Sequence, residues 1–122
     1  MSAQTATELK HKKCQPCEGG VEAVSPQEAA EQLEKLPGWK LAEDGKKIRK
    51  DWTVQDFSSA IEFFQRVAEV ANAEDHHPDL HLTGYRNVAI ELTTHAIKGL
   101  SENDFILAAK IDDVPVKLKK SK

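Results

Sequence analysis

The strongest pattern in the chain is an apolar stripe with the period of an α-helix, which begins after Asp56. Apolar residues recur there at steps of three and four, as they do in a helix that lies on a core. The stripe consists of Phe57, Ala60, Ile61, Phe64, Val67, Ala68 and Ala71. We therefore predict one long helix in the middle of the chain, around which the other elements have to pack.

Segments of alternating period stand on both sides of this helix. Before it, residues 39–41 and 48–52 flank an Asp-Gly pair, which accommodates the positive φ angles of a tight turn. After it, residues 80–83 and 88–93 alternate between apolar and polar side chains. The pattern predicts two β-hairpins, one on each side of the long helix.

Two further helices are predicted from their N-terminal signals. Residues 25–28, Ser-Pro-Gln-Glu, combine an N-cap serine, a first-turn proline and a capping-box glutamate. Residues 101–104 repeat a capping-box pattern ahead of an apolar run. The order is therefore α-β-β-α-β-β-α. We predict an α+β fold, a four-stranded antiparallel sheet with about three helices on one face, because a parallel sheet would need more crossover helices.

The ends of the chain are polar, and the middle is long enough for one core. Residues 1–24 show no sustained period, and we interpret them as a loosely docked arm. Residues 25–115 are predicted to form one domain, which needs no disulfide or structural metal at this size. Residues 116–122 form a Lys-rich tail.

Charge and hydropathy argue against two classes of partner. The net charge is -3 with both signs intermixed, so no single-sign field attracts nucleic acid or an anionic membrane. No apolar run approaches the roughly 20 residues of a spanning helix, and the first residues lack the apolar stretch of a secretory signal. We expect no direct nucleic-acid partner and no membrane association. Only two cysteines are present, both within the first 20 residues, and we therefore expect a reducing, cytoplasmic location.

Cys14 and Cys17 are the two cysteines, and both lie in the arm. With His11 they offer three ligands at a plausible metal spacing, but a fourth ligand is missing. Redox pairs of this spacing usually open a helix, of which Pro16 and the following glycines give little sign. We favour a minor structural role, with zinc binding or redox chemistry as alternatives.

Three of the five histidines, His76, His77 and His81, lie where the long helix leads into the third strand. Pro78 biases His77 toward an extended loop conformation, and His95 follows the fourth strand. Polar surface histidines are one interpretation. A metal site is a second, although adjacent side chains on a strand point to opposite faces. Acid-base chemistry is a third, because imidazole titrates near neutral pH.

The spacing of these residues resembles the signature of the pterin-4a-carbinolamine dehydratase family. Six residues separate the His76-His77-Pro78 triplet from Tyr85, nine separate Tyr85 from His95, and eight separate His95 from Asp104. The segment THAIKGLSENDF adds to the resemblance, which runs from about residue 37 to residue 111. The arm sequence KKCQPCEGG is similar to that of plant, algal and bacterial members.

The resemblance implies a hydro-lyase that removes water from a 4a-hydroxytetrahydropterin to give quinonoid dihydropterin, in tetrahydrobiopterin recycling, with no metal and no cofactor. It implies that His76 and His95 are the acid-base pair, with neither role assigned, and that His77 orients or holds the ring. The implied catalytic residues are His76, His77 and His95. The implied substrate-binding set is His76, His77, Pro78, Thr94, His95, Ala96 and Ile97.

Two positions qualify the resemblance. Asp104 is a possible supporting residue, but its place in a helix headed by Ser101 also predicts a cap, which we favour. Many family members carry an acid four positions before the first histidine, where this chain has Asn72. Glu74 and Asp75 lie nearby, and the sequence gives no sign that either substitutes.

The resemblance leaves a second class of function open. The family's animal members also act as dimerisation cofactors of a homeodomain transcription factor, so a non-catalytic co-regulator is the alternative. A salvage or chaperone role toward other pterins, including those near molybdenum-cofactor metabolism, is a third hypothesis. The histidines favour catalysis, because a scaffold would not require them.

The resemblance also implies a homodimer or homotetramer. An independent reason is that a sheet of about four strands leaves two edges open to pairing. Phe63 falls off the main apolar stripe and is a candidate contact residue, with a partly exposed aromatic as the equal alternative.

Overall fold

A four-stranded antiparallel sheet forms the centre of the fold in the computed structural model, which describes residues 3–15 and 22–120. The helices are α1 (Ala6–Lys10), α2 (Pro26–Leu33), α3 (Phe57–Glu74) and α4 (Glu102–Asp112), with a short 3₁₀ helix at His95–Ile97. The strands are β1 (Lys40–Leu41), β2 (Ile48–Thr53), β3 (Asp79–Thr83) and β4 (Asn87–Leu92). Their spatial order is β1-β2-β4-β3. The predicted α+β fold is confirmed.

The two faces of the sheet differ in polarity. Ile48 pairs with Leu92 across β2 and β4, and both side chains are buried with Val88 and Ile90 in the core. The alternate positions on the opposite face carry charges. Arg49 contacts the carboxylates of Asp51 and Glu91, and His81 Nε2 lies 2.8 Å from Glu91 Oε1. The period-2 pattern therefore separates an apolar face from a polar one.

Helix α3 begins and ends at recognisable residues. The Asp56 carboxylate accepts the Ser59 N–H at 2.8 Å as an N-cap. The helix ends at Asp75, which adopts the left-handed conformation with φ 52°. This ending redirects the chain and places the histidines that follow outside the helix.

The buried face of α3 differs from the predicted stripe. Phe63 is 1% exposed, whereas Phe57 is 54% and Ile61 38% exposed. The buried row is Ser59, Ala60, Phe63, Val67 and Ala71. The stripe inferred from the sequence merged this row with a neighbouring row, because both contain apolar residues at steps of three and four. Both interpretations of Phe63, a contact with a second chain and a partly exposed aromatic, are wrong, because the side chain lies in the core with its ring centroid 5.1 Å from that of Trp52.

The other two predicted helices start as expected. Ser25 Oγ accepts the Glu28 N–H, and the Glu28 carboxylate accepts the Ser25 N–H, both at 3.1 Å. Helix α4 is almost entirely buried from Asn103 to Ala109. It lies against α1 and α3, and for this reason its side chains are apolar on nearly all sides.

The described part of the arm, residues 3–15, is packed against the domain. Helix α1 lies on α4, and Leu9 is fully buried in the core. The Gln4 N–H donates to the side chain of Gln32 at 2.8 Å. The interpretation of a loosely docked arm is therefore wrong for these residues. Cys17, the second cysteine of the predicted pair, lies outside the described residues.

The Lys-rich tail also makes backbone contacts. The Gln55 N–H donates to the Lys117 carbonyl at 2.8 Å, and the Lys119 N–H donates to the Thr53 carbonyl at 2.9 Å. Among the helices that the structure describes, none combines the length and the apolar character needed to cross a membrane.

Candidate active site

The buried carboxylate of Asp104 connects three segments of the chain. Its Oδ1 lies 2.7 Å from His76 Nε2, and its Oδ2 accepts the Thr94 hydroxyl at 2.8 Å and the Ser101 N–H at 3.0 Å. Thr94 Oγ1 is also 2.7 Å from Ser101 Oγ. Because the Thr94 hydroxyl proton is given to Asp104, the Ser101 hydroxyl has to donate to Thr94.

The position of Asp104 follows from the start of α4. The capping box fixes the third residue of the helix near the N-cap backbone, so one carboxylate oxygen accepts the Ser101 N–H. The predicted capping role is confirmed. The second oxygen is then directed to the segment that leaves α3, where it meets His76. One side chain thus caps a helix and contacts a histidine.

His76 is held in the interior by its backbone and its ring. Its N–H donates to the Ala71 carbonyl at 3.2 Å, and its side chain is 6% exposed. A carboxylate only accepts hydrogen bonds, so the Nε2 that faces Asp104 carries a proton. In the neutral ring, Nδ1 is therefore the nitrogen that carries no hydrogen.

His77 points to a different partner. Its exposed ring places Nε2 3.0 Å from Asn72 Oδ1. Asn72 is the position at which many members of the resembled family have an acid. In this chain, His77 therefore contacts a neutral amide at the position where an acidic residue would provide a negative charge.

Glu74 and Asp75 do not take the place of that acid. Glu74 accepts the Cys14 N–H at 2.8 Å and the Lys110 ammonium at 2.7 Å, on the side of the arm and α4. Burial raises the pKa of the Glu74 carboxyl, but the hydrogen bonds from Lys110 and Cys14 outweigh burial and hold that pKa below its usual value. Asp75 ends α3.

His95 lies on the solvent side of the loop that carries Thr94. The Thr94 N–H donates to the Gly99 carbonyl at 2.9 Å, and the Lys98 N–H donates to the His95 carbonyl at 3.1 Å, which closes the 3₁₀ turn. Thr94 points inward to Asp104, and the exposed His95 borders a cavity of about 330 Å³. The cavity is lined by Asp44, Lys46, Lys47, Thr93, His95 and Lys98.

The structure joins some of the predicted site residues and leaves others apart. His76, Asp104 and Thr94 are directly hydrogen-bonded, and His95 follows Thr94 in the chain. His77 contacts Asn72 and is not among the residues that line the cavity. Among the remaining predicted residues, Pro78 and Ile97 are half-buried and Ala96 is exposed.

The sequence interpretation missed the lysines that line the cavity. Lys46 and Lys47 belong to the turn between β1 and β2, which reaches the cavity because β2 pairs with β4. Lys98 follows the 3₁₀ helix. A cluster of lysines in the Asp-Gly turn was visible in the sequence, but its proximity to His95 depends on strand order.

The described part of the chain contains no cluster of side chains that could bind a metal ion. Within residues 3–15 and 22–120 no group of three or more His, Cys, Asp or Glu side chains is placed to hold a metal ion. Cys14 is buried, and its thiol donates to the Asn103 carbonyl at 3.6 Å. Burial raises the pKa of this thiol to about 12, and the neighbouring Glu74 carboxylate adds to the effect.

Comparison with known proteins gives the same family by sequence and by structure. The family model for pterin 4 alpha carbinolamine dehydratase matches residues 22–114. A relative from Arabidopsis thaliana, named pterin-4-alpha-carbinolamine dehydratase 2, mitochondrial, is 51% identical over 89% of this chain. The match spans 60% of that relative's length.

Two further relatives match over nearly their whole length. A protein from Halorhodospira halophila, provisionally named pterin-4-alpha-carbinolamine dehydratase, is 47% identical over 85% of this chain and 94% of its own. The crystal structure of a transcriptional coactivator/pterin dehydratase from Brucella melitensis superposes with a TM-score of 0.70 at 30% identity, covering 75% of this chain and 97% of that one. The chain therefore belongs to the pterin-4-alpha-carbinolamine dehydratase family of hydro-lyases.

Proposed function

We propose that this protein dehydrates a 4a-hydroxytetrahydropterin by histidine acid-base catalysis, with His76 and His95 as the acid-base pair. The observation that carries the proposal is the hydrogen-bonded series His76-Asp104-Thr94, which ends beside His95. A buried histidine whose Nε2 is hydrogen-bonded to a carboxylate has a defined tautomer and ring orientation. Such a histidine is suited to proton transfer.

The reaction requires two proton movements and no change of oxidation state. One histidine donates a proton to the hydroxyl on C4a, and the C4a–O bond breaks as water leaves. The other histidine removes the proton from N5, and the electron pair of that N–H bond forms the C4a–N5 double bond of the quinonoid product. Protons and electrons balance, since the acid is regenerated by the proton that the base has taken up.

Asp104 supports this exchange through His76. The hydrogen bond between Nε2 and Asp104 Oδ1 fixes the tautomer and the orientation of the imidazole that exchanges the proton. His95 is exposed and can meet a substrate that enters from solvent. His77 would hold the ring, with Asn72 fixing its orientation, and Pro78, Thr94, Ala96 and Ile97 would shape the pocket.

The direct test is turnover of freshly generated 4a-hydroxytetrahydrobiopterin, followed against its spontaneous decay. We expect acceleration in proportion to protein concentration, unchanged after exhaustive treatment with a chelator. Decay at the uncatalysed rate would contradict the proposal. Activity lost together with one bound metal ion per chain would contradict the metal-free mechanism.

A second candidate function is binding of a partner protein. The observation that favours it is an exposed apolar row on α3, formed by Phe57, Ile61, Phe64 and Ala68, of which Phe64 is half-buried. The Brucella melitensis relative, named transcriptional coactivator/pterin dehydratase, couples a coactivator role to the dehydratase in its name. A histidine variant without turnover that retains a partner-binding activity would separate the two functions.

We assign the same row on α3 to association between copies of this chain. Four apolar side chains spaced along one helix face match the same face of a second copy, as a two-fold interface requires. β3 is an edge strand with Leu80 38% exposed, which gives a second surface for pairing. A homodimer or homotetramer is therefore part of the proposal.

The proposal includes a cellular compartment. We propose a cytoplasmic protein, because a chain that has only two cysteines and needs no disulfide at this size suits a reducing compartment. The Arabidopsis relative is named as mitochondrial. Fractionation of cells that produce the tagged protein distinguishes the two, and recovery with mitochondria would contradict the cytoplasmic assignment.

A further inference from the structure

The cavity beside His95 carries an excess of positive charge. Lys46, Lys47 and Lys98 line it together with a single acid, Asp44, so that two positive charges are unbalanced even with His95 neutral. The chain as a whole has a net charge of -3. A positive cavity in an acidic protein concentrates anions at one place.

The three ammonium groups are available to a ligand. None of them has an ion-pair partner among residues 3–15 and 22–120, whereas Lys12, Lys50 and Lys110 are each paired with a carboxylate. Asp44 is engaged in its own turn, where Oδ1 accepts the Lys46 N–H at 2.9 Å.

The backbone fixes the positions from which these lysines extend. The Thr93 hydroxyl donates to the Lys46 carbonyl, which attaches the β1-β2 turn to the end of β4. Within the turn, the Ala42 N–H donates to the Lys47 carbonyl at 2.9 Å. Lys98 has a φ of 51° and is held by its bond to the His95 carbonyl. The lysines therefore start from fixed points around one opening.

We propose that this lysine-lined cavity binds an anionic group on the side chain of the pterin, a phosphate or a carboxylate. The inference rests on the proposed function, because it places the reacting ring at His95 and the substituent among Lys46, Lys47 and Lys98. The volume of about 330 Å³ lies within the range of small-ligand sites. A pterin with a neutral side chain gains nothing from the lysines.

The test compares three dihydropterins that share one ring and differ in their side chains. They are 7,8-dihydrobiopterin, which is neutral, 7,8-dihydroneopterin 3′-phosphate and 7,8-dihydrofolate, which carries carboxylates. Dissociation constants are measured by calorimetry at low ionic strength. We expect the parent protein to bind one or both anionic compounds about tenfold more tightly than the neutral one, with a preference that falls as salt is added.

Substitution of the lysines identifies the groups responsible. Lys46→Gln and Lys98→Gln remove one charge each, and we expect each to weaken binding of the anionic compounds by about three- to fivefold without changing that of 7,8-dihydrobiopterin. Lys35→Gln removes the same charge outside the cavity and is the matched control, with no expected effect on any compound.

The outcomes separate this inference from the proposed function. Equal affinity for all three compounds, or equal loss for all three in Lys46→Gln and Lys98→Gln, overturns the inference and leaves the dehydratase proposal in place. Failure of all three compounds to bind contradicts the dehydratase proposal and this inference with it. Tight binding of the phosphate alone or of the carboxylate alone supports the inference and identifies the group.

Discussion

Asp104 performs two tasks that the sequence presented as alternatives. Its spacing from Ser101 indicates a helix cap, and its spacing from His95 belongs to the family signature. The two carboxylate oxygens divide these tasks, since Oδ2 accepts the N-cap N–H and Oδ1 meets His76. The cap could be predicted because it is local in sequence. The contact with His76 could not, because the partners are 28 positions apart in the sequence.

Replacement of this side chain should affect stability and catalysis together. The carboxylate accepts hydrogen bonds from His76, Thr94 and Ser101. In Asp104→Asn an N–H₂ group replaces one of the two oxygens and faces at least one of these donors, so at least one buried hydrogen bond to a charged acceptor is lost. We expect a decrease in the free energy of unfolding of about 2 kcal/mol and a dehydration rate about 100-fold lower. Glu102→Gln removes an acid from the same helix turn and should leave the rate unchanged. Equal rates in Asp104→Asn and the parent would remove Asp104 from the mechanism.

The thiol of Cys14 should be chemically inert in the folded protein. Burial raises its pKa to about 12 from the ordinary value of 9.0, so almost no thiolate forms at pH 8. In a Cys17→Ser background we expect no alkylation by iodoacetamide until denaturant is added. Because the pKa of the thiol is higher in the folded than in the unfolded protein, the contribution of the protonated thiol to the free energy of unfolding is complete below pH 9. It is lost as the pH rises toward 12. Alkylation of the native protein at the unfolded rate would contradict this.

The elements that sequence patterns predicted have a start signal, a period or both. Helices α2 and α3 have N-caps followed by apolar repeats, α4 has an N-cap followed by a continuous apolar run, and both hairpins alternate. Helix α1 was missed because five residues with one buried side chain show no period. Its capping box, formed by Thr5 and Glu8, was the signal that could have revealed it.

Leu9 tests whether α1 belongs to the folded unit. It is fully buried, so Leu9→Ala should lower the free energy of unfolding by about 2 to 3 kcal/mol. Leu118→Ala makes the same change at a side chain that is 53% exposed and should cost less than about 0.5 kcal/mol. Chemical denaturation measures both values. Equal small losses would mean that the arm is detached in solution.

At the scale of the whole molecule, the cavity depends on strand order. Pairing of β2 with β4 carries the β1-β2 turn to the loop of His95, and the turn's lysines arrive with it. Local patterns fix which residues form strands, but the choice of neighbours follows from how the apolar faces pack in three dimensions. The candidate histidines could thus be identified from the sequence, whereas the positive charge of the lysines around His95 could not be predicted.

The exposed row on α3 gives the assembly a specific test. We expect the parent to sediment as a dimer or tetramer at micromolar concentration and Ile61→Glu to shift it toward monomer, because the variant places a charge in an apolar contact. Ala73→Glu adds the same charge at an exposed position on another side of the same helix and should leave association unchanged. A parent that sediments as a monomer refutes the assembly, and an associated Ile61→Glu protein removes this row from the interface.

The central claim is that His76 and His95 together move the protons of the dehydration. The most direct measurement is the rate of dehydration of 4a-hydroxytetrahydrobiopterin by His76→Ala, His95→Ala and His81→Ala, after circular dichroism has shown that each variant is folded. We predict that His76→Ala and His95→Ala are slower than the parent by about 100-fold or more, as expected when an acid-base group is lost. His81, which pairs with Glu91 on the polar face of the sheet, should be replaceable without effect. Parental turnover by either His76→Ala or His95→Ala, or a comparable loss in His81→Ala, would contradict the account.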